Sequence, residues 1–124
     1  MGIKTERQIN RDAGRSLTTT GSTDDDDRWL VVRSRDGIVW GRYHVENTGS
    51  ANNALKVIVR RFLDPDADPD SDTPVAEDEV EEISDGDDAE DHLDELYHCI
   101  AVRPDPQLAG DHTDYRVTVV ARRL

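Results

Sequence analysis

Five aspartates at alternate positions form the pattern in this sequence with the most obvious chemistry. They are Asp64, Asp66, Asp68, Asp70 and Asp72. Carboxylates at alternate positions begin the calcium loop of EF-hand proteins, which also needs Gly at its sixth position and Glu at its twelfth. Here those two positions hold Pro69 and Val75. We therefore predict no dedicated calcium site, and expect only loose association of cations with these carboxylates.

Residue types that serve as nucleophiles or zinc ligands are sparse. The four histidines lie far apart in sequence, and only His98 is adjacent to the single cysteine, Cys99. Adjacent residues of a strand point to opposite faces of a sheet, so these two side chains are not expected to share a metal ion. We predict that Cys99 is a buried structural thiol. No serine lies in a nucleophile elbow and no glycine-rich phosphate loop occurs, so we predict no catalytic residue, metal or cofactor.

The choice of charged residues indicates adaptation to salt. Among 124 residues, 20 Asp and 8 Glu oppose 13 Arg and only 2 Lys, which gives a net charge of −13. In molar salt the Debye length falls to about 3 Å, so a surface rich in carboxylates repels itself little. Scarcity of lysine along the whole chain favours a halophilic protein over a mesophilic one with an acidic tail. The acidity and the salt both oppose phosphate contacts, so no nucleic-acid partner is expected.

Negative charge is concentrated in residues 64–96, which we call the acidic belt. The belt contains 11 Asp and 6 Glu without a Lys or Arg, a net charge of −17. Residues 1–23 have a net charge of +2, and we predict that four of their basic side chains bind acidic partners: Lys4, Arg7, Arg11 and Arg15. Two alternatives remain open, since basic segments of one copy could contact the belt of another, or the arginines could pair with the belt inside one molecule.

The first 28 residues lack the pattern of a folded core. Their large aliphatic residues beyond Met1 are scattered, at Ile3, Ile9 and Leu17, and residues 16–23 are a polar run. A segment this poor in apolar residues cannot offset its ordering entropy alone. We predict that residues 1–28 form an extended N-terminal arm that is ordered by a neighbouring subunit.

From Trp29 onward apolar residues recur with a period of two, which is typical of strands with one buried face. The pattern predicts strands near residues 29–33, 39–46, 55–63, 79–83, 99–102 and 115–121. Asp36-Gly37 is predicted to form a hairpin turn, and Ala89–Tyr97 has the spacing of a short helix. No apolar run approaches the roughly 20 residues that a membrane span requires.

These elements predict an all-β fold. We expect an antiparallel β-sandwich, immunoglobulin-like or jelly-roll-like, over residues 29–124, with one short helical segment. Residues 64–96 are expected to leave the sandwich as an acidic loop insertion, because Asp64–Pro74 contains three prolines.

Two stretches of the sequence resemble small β-sandwich virion proteins of tailed viruses. One runs from Tyr43 through the turn Asn47-Thr48-Gly49-Ser50 to Asp64, and the other is Asp114-Tyr115-Arg116-Val117-Thr118-Val119-Val120. In that family a strand ends in an Asn-Thr-Gly turn, a second strand continues from it, and a final Tyr-Arg-Val strand completes the sandwich. The resemblance extends over residues 29–63 and 96–124, and the acidic belt departs from it.

Together with the halophilic composition, the resemblance implies a virus of salt-loving archaea. It implies a non-enzymatic structural protein of the virion, assembled in the host cytoplasm as a capsid decoration or a tail or neck component. Its partners would be other virion proteins and copies of itself in a homo-oligomer, with no membrane partner. The alternative is a cellular haloarchaeal β-sandwich module that binds a protein or a small ligand.

Overall fold

A computed structural model describes residues 5–8, 15–93 and 96–123. The strands are β1 (Thr5–Gln8), β2 (Arg15–Ser22), β3 (Leu30–Asn47), β4 (Leu55–Phe62), β5 (Ala76–Ile83), β6 (Asp88–Leu93), β7 (Tyr97–Pro106) and β8 (Asp114–Arg123). No helix occurs in the described ranges, so this part of the chain is all-β. Within these ranges no helix has the length and hydrophobicity needed to cross a membrane.

The strands form two layers that share the long strand β3. Its first part, Leu30–Arg33, belongs to a layer with the order β1-β3-β7-β4-β5, which we call the first sheet. Its later part, from Trp40 to Asn47, belongs to a layer with the order β2-β8-β3-β6, the second sheet. All pairs except β1–β3 are antiparallel, which confirms the predicted antiparallel β-sandwich.

Gly37 lies where β3 crosses from the first sheet to the second. The register of β3 shifts between Arg33 and Ile38 against β7, and between Ile38 and Trp40 against β8. Gly37 has a φ of +97° at this point, a conformation that residues with a side chain rarely adopt. The prediction of a hairpin at Asp36-Gly37 is therefore wrong, because the glycine bends one continuous strand instead of reversing the chain.

The main core lies between the two sheets and consists largely of β-branched residues. Strand β4 contributes Leu55, Val57 and Val59, and β8 contributes Val117 and Val119, all fully buried. Such residues pack well on a pleated surface, so the alternation that predicted these strands also builds their shared interior.

The N-terminal segment differs from the predicted extended arm. Arg15–Ser22 form β2, which pairs with β8 along all 8 of its residues, and Thr5–Gln8 form β1 beside β3. Leu17 of β2 packs against the core, and threonines, which favour extended structure, occupy the centre of the strand. An edge strand has one neighbour and needs few apolar residues, which is why the hydrophobic pattern missed β2.

The predicted helix at Ala89–Tyr97 is also wrong, because its described residues are extended. Asp88–Leu93 form β6, which pairs with β3 between Gly41 and Glu46. Ala89 packs against the core while Asp88 and Glu90 are exposed, the alternation of an edge strand. The acidic belt is thus a loop over residues 64–75 followed by strands β5 and β6, and it is not one long insertion without regular structure.

Candidate interaction surface

The outer face of the first sheet is covered by residues 64–75, which we call the acidic loop. Beneath the loop lies a second apolar cluster, formed by Trp29, Val31, Ile58, Phe62, Ala67, Cys99 and Ala101. The burial of Cys99 confirms the predicted structural thiol. Because the loop and the sheet share this cluster, the loop is packed against the sandwich as part of the fold.

Trp29 holds the middle of the acidic loop in place. Its indole Nε1 donates a hydrogen bond of 2.8 Å to Asp70 Oδ1. The guanidinium groups of Arg60 and Arg103 lie 5.4 and 4.7 Å from the centre of its ring. Cation–π contacts contribute about 1 kcal/mol each, more when water is excluded, so Trp29 joins the loop to two strands of the sheet.

Arginine side chains also bind the loop backbone. Arg33 Nη1 donates to the carbonyl oxygens of Pro65 and Ala67 at 2.8 and 2.7 Å. Arg60 Nη1 donates to the carbonyl oxygen of Pro69 at 2.6 Å. Prolines prevent a strand here, and the guanidinium groups satisfy the carbonyls that a strand partner would otherwise bind.

Alternate aspartates of the loop accept hydrogen bonds from its own backbone amides. Asp64 Oδ1 accepts a hydrogen bond of 2.9 Å from the amide of Asp66, and Asp68 Oδ1 accepts one of 2.9 Å from Asp70. Asp72 Oδ2 accepts a bond of 2.7 Å from the amide of Asp68. The spacing that suggested a calcium loop thus builds consecutive turns in which a side chain caps a nearby amide. Within the described ranges, no group of three or more metal-binding side chains is placed to hold a metal ion.

The arginines of the strands pair with the acidic belt inside one molecule. On β4 and β5, Lys56 Nζ lies 3.3 Å from Glu79 and Arg60 Nε lies 3.1 Å from Glu77. Further pairs between the belt and the rest of the chain are Arg61–Asp78, Arg42–Glu90, His44–Asp88, Arg35–Asp66 and Arg103–Asp70. Of the two alternatives for these strand residues, the structure contains the intramolecular one.

The four basic residues predicted to bind partners are not brought together as a described site. Lys4 and Arg11 lie outside the described residues. Arg7 belongs to β1 at the edge of the first sheet, and Arg15 is the first residue of β2 at the edge of the second. The binding role of these four residues stays a prediction.

The outer face of the second sheet is solvent-accessible, unlike that of the first. Strand pairing aligns two rows of side chains across it, Thr18, Thr118, His44, Glu90 in one and Thr20, Arg116, Glu46, Asp88 in the other. All eight are exposed or half-buried. At one end of the face the guanidinium of Arg122 lies 5.5 Å from the centre of the Trp40 ring. This face offers hydroxyl groups, both signs of charge and one aromatic ring on a regular support, and its side chains are exposed or half-buried.

A buried asparagine fixes the turn at the end of this sheet. Asn47 Nδ2 donates to the carbonyl oxygens of Asn53 and Ile83 at 3.0 and 2.9 Å. Its Oδ1 accepts bonds of 3.0 Å from the amide of Gly49 and from Thr113 Oγ1. A Cβ on Gly49 would overlap Thr113 Oγ1, so glycine is required where the turn packs against β8. The Asn-Thr-Gly segment is therefore a rigid connection between β3 and the strands around it.

A polar pocket of about 220 Å³ opens beside this turn. Its lining includes Ser22, Asp24, Ser50, His112 and Asp114. Hydroxyl, carboxylate and imidazole groups meet here at the surface, where a small polar molecule could be bound.

Two buried tyrosines have altered acidity. Burial, assisted by the negative charge of Asp91, raises the pKa of Tyr43 above its ordinary value of 10.0. Burial, assisted by Asp25, raises the pKa of Tyr115 in the same direction. Both hydroxyls stay protonated at neutral pH, so the two rings serve the core as neutral groups.

No protein family and no curated protein matches this sequence. Among solved structures, the pre-peptidase C-terminal domain of collagenase from Bacillus anthracis has a TM-score of 0.57 at 12% identity, with 96% of each chain covered. The periplasmic g-type lysozyme inhibitor of Aeromonas hydrophila has a TM-score of 0.48 at 13% identity, over 98% of this chain and 100% of that one. Nora virus has a TM-score of 0.47 at 8% identity, over 87% and 54%. The likeness to the collagenase domain, at 12% identity, shows the fold alone.

Proposed function

We propose that this protein is a non-enzymatic structural component of the particle of a virus that infects salt-loving archaea. It packs against other virion proteins and copies of itself as a capsid decoration or as part of the tail or neck. The observation that carries the proposal is the difference between its two outer faces. The acidic loop covers the first sheet, whereas the second sheet presents a regular, accessible face to a neighbour.

The placement of the two virion-like stretches supports this role. Strand β3 ends at Asn47, and its last residues pair with the Tyr-Arg-Val segment of β8, with Val45 opposite Val117 and Asn47 opposite Tyr115. The start of the first stretch and the whole of the second are therefore adjacent in the second sheet, while the rest of the first stretch continues into β4 of the first sheet. The scarcity of lysine and the net charge of −13 support a host that accumulates salt.

Particle incorporation tests the proposal. Antibodies against the chain should label intact virus particles in immuno-electron microscopy of an infected haloarchaeal culture. Arg122→Glu reverses a charge on the accessible face and should reduce incorporation. The matched control is Arg35→Glu, which reverses a charge on a 73% exposed side chain of the other sheet and should be incorporated normally. Protein that stays in the cell and is absent from particles would contradict the proposal.

The second candidate is a cellular haloarchaeal binding module. The pocket beside the Asn47 turn favours it, because its carboxylate, hydroxyl and imidazole groups converge on a space of about 220 Å³. A screen of small polar ligands by heteronuclear NMR in high salt tests this candidate. Shifts confined to residues around His112 and Ser50 would support it, and an unchanged spectrum would count against it.

A further inference from the structure

The four edge strands of the sandwich differ in how they are protected against pairing with another chain. An unprotected edge exposes unpaired backbone amides and carbonyls, to which another strand can bind. Natural sheets block such edges with charges, bulges or short strands. The comparison of the four edges identifies one that lacks these devices along most of its length, where only the amide of the last residue, Ser22, is bonded to a side chain, at 3.1 Å from Asp25 Oδ2.

Three of the edges are protected. Strand β5 carries five acidic residues among its 8, and its register against β4 is interrupted near Glu82, which has a φ of +62°. Strand β6 carries Asp88, Glu90 and Asp91 among its 6 residues. Strand β1 has only 4 residues and runs parallel to β3. Like charge or short length disfavours intermolecular pairing at each of them.

Strand β2 is the exception. Residues 16–22 contain no charged residue and no proline, and the register of β2 against β8 is continuous over 8 residues. Its centre is Thr18-Thr19-Thr20, residues with high strand propensity. Among the described residues, β8 is the only strand that pairs with β2, so its other edge has no described partner strand.

We propose that β2 pairs antiparallel with β2 of a second copy of this chain, across a two-fold axis. The pairing joins the two second sheets into one continuous sheet of eight strands. It deepens the proposed structural function and rests on it, since it names the first contact through which the protein assembles.

The opposite charges at the two ends of β2 favour antiparallel pairing with a second copy. Strand β2 begins at Arg15 and is followed by the acidic run Asp24–Asp27. Antiparallel pairing places the basic start of each strand beside the acidic end of the other, twice in the dimer, whereas parallel pairing would align like charges.

The position of the acidic belt favours the same arrangement. Strand β6 lies three strands away from β2 in the second sheet. At the usual strand spacing this is about 14 Å, greater than the Debye length of about 8 Å at physiological ionic strength. Pairing through β2 therefore keeps the acidic β6 edges of two strongly negative copies apart.

Sedimentation of the full chain in molar KCl tests this pairing. The wild-type protein should sediment as a dimer at micromolar concentration. Thr18→Lys/Thr20→Lys places lysine, the residue with which natural sheets block their edges, at two exposed positions of β2 and should raise the dimer dissociation constant about tenfold or more. The control Thr73→Lys/His92→Lys adds the same charge at exposed positions of the acidic loop and β6, away from β2, and should remain dimeric. Circular dichroism verifies that both variants keep their strands.

A cross-linking experiment keeps the test decisive if the lysine variant fails to fold. Thr20→Cys should form a disulfide-linked dimer under mild oxidation, because the register that places Arg15 beside Asp25 of the other copy places Thr20 opposite its own counterpart. Cys99 is buried and does not compete, and the control Thr73→Cys in the acidic loop should form no such dimer. A monomeric wild type, or a dimer that persists in a folded Thr18→Lys/Thr20→Lys variant, would overturn the pairing. Neither result changes the labelling of particles, which decides the proposed function separately.

Discussion

At the residue scale, the amide of Asn47 uses both of its donors and accepts two hydrogen bonds on its oxygen, although the side chain is fully buried. Asn47→Ala would leave the carbonyls of Asn53 and Ile83 without this donor. We expect a loss of about 3 kcal/mol in the free energy of unfolding, because each buried unsatisfied group costs about 1–3 kcal/mol. Urea denaturation in high salt measures it.

The control for this substitution is Asn53→Ala. That side chain is half-buried and donates a hydrogen bond of 2.9 Å from Nδ2 to the carbonyl oxygen of His112. It should cost about 1 kcal/mol or less. Equal effects of the two substitutions would contradict the role assigned to Asn47.

Buried tyrosines predict the response of the protein to alkaline pH. The pKa of Tyr43 in the folded state lies above the unfolded value of 10.0, so the folded state holds its proton more tightly. This contribution to stability is fully present below about pH 10 and decreases as the pH rises through the folded pKa. Tyr43→Phe should therefore flatten the decline of stability at alkaline pH. Chemical denaturation measured between about pH 8 and pH 11 tests it, and an unchanged slope would contradict it.

At this scale the sequence predicted which side chains are buried better than it predicted which groups they hydrogen-bond. Cys99 is buried as predicted, because it begins the continuous apolar run Cys99–Val102. The roles of Asp64 and Asp68 could not be derived from spacing alone, since the same pattern serves a cation or a series of capped turns. Their amide partners depend on a loop path that is fixed by Trp29 and Arg33, which lie more than 30 residues away in sequence.

At the element scale, the acidic loop depends on its contact with Trp29. Trp29→Phe keeps a ring in the cluster and removes the hydrogen bond of 2.8 Å to Asp70. A hydrogen bond to a charged group contributes about 1.5–3 kcal/mol, so the loop should open about tenfold more often. A protease that cleaves after acidic residues should then cut residues 64–75 about tenfold faster.

Trp40→Phe is the matched control for this experiment. Trp40 is half-buried on the opposite face, where it contacts Arg122 and not the acidic loop. Its substitution should leave cleavage of the loop unchanged. Equal cleavage rates in the Trp29→Phe variant and the wild type would mean that other contacts hold the loop.

The elements missed by the sequence interpretation share one cause. The alternating pattern identified β4, β7 and β8 because their inward residues are buried in the core. Strands β2 and β6 are edge strands with little apolar content. Each forms by pairing with a strand that lies far away in sequence, β8 for β2 and β3 for β6. The prediction of a hairpin at Gly37 was wrong because it also used local sequence alone. A dipeptide does not reveal that β3 continues into a second sheet.

At the scale of the whole molecule, negative charge is segregated within the sandwich. The acidic loop, β5 and β6 carry most of it, and several of their carboxylates pair with arginines of β3 and β4. Strand β2, which has no charged residue after Arg15, lies at the other edge of the second sheet. The sequence predicted that negative charge is segregated along the chain. Which edges of the sheets hold that charge depends on the strand order, which the sequence alone did not predict.

This segregation predicts a fold that depends on salt. Glu81 and Glu82 are exposed on β5, next to Glu77, Asp78 and Glu79. At low ionic strength the Debye length of about 30 Å lets all these carboxylates repel one another. We expect the β-sheet signal in circular dichroism to be lost as KCl falls from molar to millimolar, and full retention would contradict the prediction.

Two double variants of β5 test whether the salt dependence of folding comes from repulsion between carboxylates or from their ion pairs with arginines. Glu81→Gln/Glu82→Gln removes two charges for which the described residues provide no ion pair, so it should lower the KCl concentration at which half of the protein is folded. Glu77→Gln/Asp78→Asn removes two charges from the same strand but also the partners of Arg60 and Arg61. Because Arg61 is nearly buried, losing its partner offsets the relief of repulsion, and the midpoint should not fall. Equal midpoints for the two variants would mean that net charge alone sets the salt requirement.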